Sequence, residues 1–316
     1  WCLGVLNSHR RFFLSYSAPV IWNVAMIAAL LGWGGRIGEY PLAEVLAWGS
    51  VAGSALQFLV QLPSVLRLAS GLQLWFGWRD NNVRTILRNF TPAFISRGVV
   101  QISAYVDAMI ASLLGTGAVT GLSYAQLLYT LPVSLFGMSI SATELAEMSR
   151  TTGSDAQIHQ TLRTRLNTGL RRVAFFIVPS ATAFLAFGDL IAAALFQSGK
   201  FTPEDARYVW GILAGSSVGL LASTMGRLYS STFYALRDTR NPLKYAITRV
   251  VLTSVLGVTF ALYLSPMIGL QERWGVAGLT VSAGIAGWME FFLLRRKLNS
   301  RIGNSGLPTG VLLRLW

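Results

Sequence analysis

No charged residue occurs between Arg11 and Arg36, a stretch that includes LSYSAPVIWNVAMIAALLGWG at residues 14–34. A run of this kind leaves few folds open. About 20 apolar residues match the thickness of bilayer hydrocarbon. Inside that hydrocarbon the backbone has to satisfy its own hydrogen bonds, which an isolated segment can do only as a helix. Comparable runs recur at about 42–66, 89–114, 119–147, 171–197, 206–236, 243–265 and 274–296. Only 12% of residues are charged, against about a quarter in a soluble domain, and the mean hydropathy is +0.51. The expected fold is all-α: a polytopic transmembrane bundle of about eight membrane helices.

The net charge of +13 would suit a nucleic-acid binder, but the basic residues form no single patch. They alternate with the apolar runs. Nineteen lie in or beside 1–13, 67–88, 148–170, 237–242 and the tail after 296, whereas the opposite set of connections holds only Arg36, Lys200, Arg207 and Arg273. Positive charge is retained on the cytoplasmic side of membrane proteins, so the first set is cytoplasmic and no nucleic-acid partner is expected. Cys2 is the only cysteine, and His9 and His159 stand alone in polar connections. With no disulfide framework, metal-ligand spacing or nucleophile–base arrangement, the chain does not read as an enzyme.

Two cytoplasmic connections are long enough to lie on the membrane surface. GLQLWFGWRDNNVRTIL (71–87) mixes Trp75, Phe76 and Trp78 with arginines, as interfacial segments do. Residues 155–173 place Ile158, Leu162, Leu166 and Leu170 four apart, giving a basic amphipathic helix that either caps the bundle or docks a partner. An internal repeat is also present. Arg11, Leu14 and Tyr16 recur as Arg240, Leu243 and Tyr245, at an offset of 229. Parallel repeats of this kind imply six helices each. Residues 1–66 then end a first lobe, 67–88 form an interfacial cytoplasmic linker, 89–296 form a second six-helix lobe, and 297–316 are a cytoplasmic tail or the start of a further segment. On this count about four helices precede Trp1, and the sequence is a piece of a longer transporter.

The segments GVLNSHRRFFLSYSAPVIWNVAMI, QISAYVDAMIASLL, YAQLLYTLPVSLFGMSIS, FQSGKFT and STFYALRDTRNPLKYAI resemble the MurJ (MviN) lipid II flippases of the multidrug/oligosaccharidyl-lipid/polysaccharide exporter superfamily. The similarity runs in order from about residue 2 to 298. It implies a two-lobe transporter with its first lobe incomplete, in the bacterial inner membrane, among membrane lipids. The substrate it implies is an undecaprenyl-pyrophosphate-linked peptidoglycan precursor, flipped by rocking of the lobes around a cationic cavity. Two alternatives belong to other classes: a transport-incompetent relative serving as a structural subunit beside other membrane proteins, or an exporter of another amphiphile.

The resemblance also marks residues. On the helix holding YAQLL the family reads Tyr-Ala-Asp-Arg-Leu, where this chain has Gln126 and Leu127. Asp107 matches an acidic position that in some members helps to bind a coupling Na⁺. The partner ligands there, an Asn and an Asp four residues on, correspond to Thr253 and Gly257. Asp107 and Thr253 are therefore the candidate ion-coupling residues, with Na⁺ or H⁺ as the coupling ion and no other cofactor. Arg227 matches a position often basic in the family and is the first candidate for contact with the substrate's anionic head; its competing role is an ion pair, with Glu144 as one possible partner. Arg97 is the second candidate, placed either to line the cavity or to snorkel. Arg249 is two turns inside its span and is expected to snorkel as well. Glu144 and Glu147 read as neutralising a basic surface, and the pairs Gly49/Gly53 and Gly215/Gly219 as close helix contacts.

Overall fold

A computed structural model describes residues 2–9, 11–68, 98, 102–267, 269 and 271–306. The chain divides into two compact units, Trp1–Arg84 and Thr85–Trp316. Among the described residues all regular structure is helical.

The first unit contains α1 (Cys2–Ser8), α2 (Phe12–Trp33) and α3 (Glu39–Leu68). Small residues let α2 and α3 meet. A methyl group on Gly49 would come within 2.9 Å of Ala29 Cβ, and one on Gly53 within 2.9 Å of Trp22 Cδ1. The Trp22 indole donates to Ser50 O at 3.1 Å across the same contact. Val24, Leu31, Trp48 and Val51 remain exposed, the pattern expected where lipid rather than water is the solvent.

The second unit contains α4 (Ile102–Ser112), α5 (Ala118–Ser149), α6 (Asp155–Phe196), α7 (Pro203–Ala235), α8 (Arg240–Met267) and α9 (Glu272–Ile302). Six helices of the described residues, α3 and α5 to α9, are long and apolar enough to cross a membrane; the apolar parts of α2 and α4 are shorter. Where they lie within the described residues, the expected spans fall on helices; residues 89–97 and 99–101 of the third lie outside them. Residues 71–87 and Arg97 lie outside the described residues.

Local sequence explains the helix ends. Ser154 and Gln157 cap the start of α6 reciprocally, and Thr202 and Asp205 do so for α7 with Pro203 in its first turn, satisfying amide donors that a helix start leaves open. Gly115 and Gly117, at φ +96° and +87°, form the turn between α4 and α5, where a side chain would be strained. Pro132 lacks an amide donor, and the α5 ladder slips to a π-helical turn over Val133–Met138 directly after it.

α7 is the most buried of the candidate spans. Its glycines admit α9 closely: a methyl group on Gly219 would lie 2.4 Å from Gly284 Cα, and one on Gly215 2.4 Å from Thr280 Oγ1. The amphipathic stretch at 155–173 does not lie apart as a surface helix. It runs without a break into the span, forming one helix of 42 residues. Leu162, Leu166 and Leu170 are fully buried against the unit's core, so the stripe caps the bundle.

Candidate functional site

Charged side chains within the apolar helices of the second unit include Asp107 on α4, Arg227 on α7, Arg249 on α8 and Glu290 on α9. Asp107 projects from the middle of α4, and its Oδ1 is buried without a hydrogen-bond partner. The side chain opposite is fixed by how α8 packs. A methyl group on Gly257 of α8 would lie 2.7 Å from Leu279 Cδ1 and 3.7 Å from Ile110 Cδ1 of α4. By the charge topology, α4 and α8 both leave the cytoplasmic side. One turn back from this contact, Asp107 on α4 and Thr253 on α8 therefore share a level. Thr253 is 2% exposed and its Oγ1 also has no partner.

Another turn toward the cytoplasm on the same face of α8 stands Arg249. Its Nη1 lies 3.2 Å from Glu290 Oε2 on α9. The Glu290 side chain is 14% exposed, so it is a carboxylate held largely out of solvent by one guanidinium. The expectation that Arg249 snorkels is therefore corrected: it forms an ion pair within the unit.

Arg227 lies on the exposed face of α7. One turn earlier, Ser223 meets the Tyr129 hydroxyl at 2.8 Å, which fixes the α5 ring beside the Arg227 face. The suggested partner Glu144 is engaged elsewhere. Arg165 and Arg172 approach it at 3.5 and 3.6 Å, and Arg165 also binds Glu147 at 3.0 Å. That cluster ties the cytoplasmic end of α5 to α6, as the charge-neutralising reading expects. Gln126 and Leu127 are exposed on α5.

The packing thus sets Asp107 and Thr253 at one level of α4 and α8, leaves Arg227 exposed on α7, and joins Arg249, which sequence reasoning treats singly, to Glu290 at 3.2 Å. A signal for them is present. They are opposite charges in two apolar runs, nine residues after the start of α8 and twelve before the end of α9, hence about 14 and 18 Å from the cytoplasmic ends. Arg227 and Arg249 carry permanent positive charge inside largely apolar helices, which suits an anionic head group. Among the described residues no three His, Cys, Asp or Glu side chains gather as metal ligands.

A family-wide sequence profile described as "Lipid II flippase MurJ" matches residues 1–312. The "Lipid II flippase MurJ" of Burkholderia cenocepacia is 33% identical over 302 residues, covering 94% of this chain and 56% of that protein. A "Probable lipid II flippase MurJ" of Vibrio cholerae is 30% identical, covering 94% of this chain and 54% of its own length. The chain therefore spans about half the length of these curated relatives. A solved structure titled "Lipid II flippase MurJ, inward closed conformation" superposes on 99% of the chain with a TM-score of 0.79 at 22% identity, using 61% of the solved chain. That similarity establishes the fold.

Proposed function

This chain belongs to the lipid II flippase MurJ family, and on that premise we propose that its second unit is one lobe of an alternating-access flippase for a lipid-linked pyrophosphate. The setting is the bacterial inner membrane, which the chain crosses repeatedly. The substrate is the undecaprenyl-pyrophosphate-linked peptidoglycan precursor. The observation that carries the reading is charge within the apolar helices: the Arg249–Glu290 pair at 3.2 Å, the buried Asp107 Oδ1 and the exposed Arg227. Charges at such depth are costly and mark transport pathways.

Arg227 is exposed on α7, and its planar guanidinium can donate to pyrophosphate oxygens in pairs. Arg97 is assigned a second, supporting contact on the same anion. Asp107 and Thr253 form the element whose charge state or ligation couples the lobe's motion to an ion. With Gln126 and Leu127 in place of an Asp-Arg pair, anion binding rests on Arg227 and on residues of the other lobe.

The test is complementation in cells depleted of their own lipid II flippase, using the full-length gene beside Asp107→Ala and Arg227→Gln variants. Rescue by the parent gene and loss in both variants is the expected result. Failure of the parent gene despite confirmed membrane insertion overturns the proposal in favour of a structural relative.

A further inference from the structure

α6 and α9 both pack on α7, and between them they leave a cleft of about 320 Å³ floored by one face of α7. Val218, Leu221, Met225 and Tyr229 form that floor, which therefore runs roughly 16 Å along the helix axis. One leaflet of bilayer hydrocarbon has about the same depth, half of the roughly 30 Å total. Arg227, to which the substrate contact is assigned, is two residues from both Met225 and Tyr229, hence roughly 160° away around α7. The cleft lies on the far side of α7 from that contact.

Polarity is graded along the cleft. At its outer end the Trp288 indole donates to Val218 O and the Ser217 hydroxyl to Leu213 O, both at 2.8 Å, so these side chains have no donor left for a ligand. What they leave is apolar. Leu185, Val218 and Phe292 are exposed, and the Trp288 ring stacks on Phe292 at 5.7 Å.

The inner end, cytoplasmic by the charge topology, holds Arg295, the first of three consecutive basic residues that close the apolar run of α9. Its Nε donates to Ser305 O at 3.2 Å. Ser305 is itself fixed, by Asn299 Oδ1 at 2.6 Å and by the buried Tyr229 hydroxyl at 3.3 Å. Next to it, the Gly306 amide donates to Asn167 Oδ1 of α6 at 2.9 Å. The guanidinium is thus positioned through Nε, and among the described residues no carboxylate pairs with its Nη groups. A permanent cation at the inner end of an apolar slot that opens sideways to lipid is complementary to an anionic amphiphile.

We propose that this cleft holds an acyl chain of an anionic phospholipid of the cytoplasmic leaflet, with the lipid's phosphate on Arg295. The isoprenoid tail of the transported substrate is the competing occupant, and it is disfavoured because its head group is assigned to the opposite face of α7. A phospholipid seated here braces α6 against α9. The site is a fixed lipid contact of the lobe and stands whether or not the chain flips lipid II.

The experiment measures melting of the purified full-length protein in detergent micelles. The micelles carry dioleoyl phosphatidylglycerol, dioleoyl phosphatidylcholine or undecaprenyl phosphate at equal mole fraction. A saturable Tm rise, largest with phosphatidylglycerol, is expected, because a ligand that binds only the folded state stabilises it by mass action. Arg295→Gln should raise the half-saturating phosphatidylglycerol concentration about tenfold, through loss of charge-assisted hydrogen bonds. Val218→Trp crowds the outer end without touching Arg295 and should shrink the same rise. Each variant is compared with itself in lipid-free micelles, so a change in basal stability does not obscure the readout. Equal rises with phosphatidylglycerol and phosphatidylcholine overturn the proposal, as does an undiminished response in either variant. A rise largest with undecaprenyl phosphate gives the cleft to the isoprenoid carrier, and no rise with any lipid shows that the protein itself covers it. Either result overturns the proposal as well.

Discussion

At the scale of single residues, position 257 separates this chain from the family pattern most sharply. A Cβ there would stand 2.7 Å from Leu279 Cδ1, so the leucine has to move to admit any larger residue. Gly257→Asp, which introduces the acidic residue that the resemblance implies for some members, should not create an ion site. It should destabilise the protein by on the order of 2–4 kcal/mol, through overpacking and a carboxylate buried without enough partners. A lowered Tm that NaCl does not raise checks this. Asp107 and Arg227 are legible in the sequence because a charge in an apolar run stands out unaided. The Arg249–Glu290 pair is not, since the two residues are 41 apart and only the packing of α8 on α9 brings them together. The ion pair suggested between Arg227 and Glu144 fails for the same reason: Glu144 has nearer partners in Arg165 and Arg172, on a stretch that the sequence pattern separates from the span.

Between helices, contacts depend on what small residues and short loops permit. Gly219 of α7 faces Gly284 of α9 so closely that a methyl group would meet backbone at 2.4 Å, and backbone cannot swing aside as a side chain can. Gly219→Val should cost at least the upper end of the roughly 1–3 kcal/mol typical of overpacking, seen as a lower Tm and reduced membrane abundance. The Gly215/Gly219 spacing announces this contact, though not its partner helix. The loop from α7 to α8 holds a second device. Asp238 accepts hydrogen bonds from the Arg240 and Asn241 amides at 3.1 Å and from Asn241 Nδ2 at 2.6 Å, and pairs with Arg301 at 2.7 Å. Burial pushes the Asp238 carboxyl up, but the hydrogen bonds of Asn241, the Arg301 charge and the Arg240 amide outweigh it and hold it below the usual carboxylate range. A carboxyl depressed in the folded state stabilises above its ordinary value of about 3.9, and this contribution disappears as pH falls through the lower folded value. Asp238→Ala should lower stability by about 1.5–3 kcal/mol at neutral pH. The gap to the parent protein should close only in acid, as melting across pH will report.

For the whole chain, the alternation of basic and neutral connections predicts which side each loop faces, and the prediction needs only charge counts. With Cys2 buried, single cysteines introduced at Thr116 and Thr152 in the full-length protein should react with a membrane-impermeant maleimide from opposite sides, Thr116→Cys from outside and Thr152→Cys only after the membrane is opened. The element that the sequence pattern divides is α6, where a polar, arginine-bearing surface runs into an apolar span and suggests two helices. The fold makes them one. At 42 residues α6 is about 63 Å long, twice the roughly 30 Å of bilayer hydrocarbon. Its inner half carries Arg163, Arg165, Arg171 and Arg172 and is bolted to α5 through Glu144 and Glu147. That half works as a keel. It sets the lobe's draught from the cytoplasmic leaflet, and the loops on the far side carry few charges to oppose it. When the membrane thickens or thins, the inner waterline should hold, and the outer turns near Phe196 and Trp274 should rise or sink against the opposite leaflet.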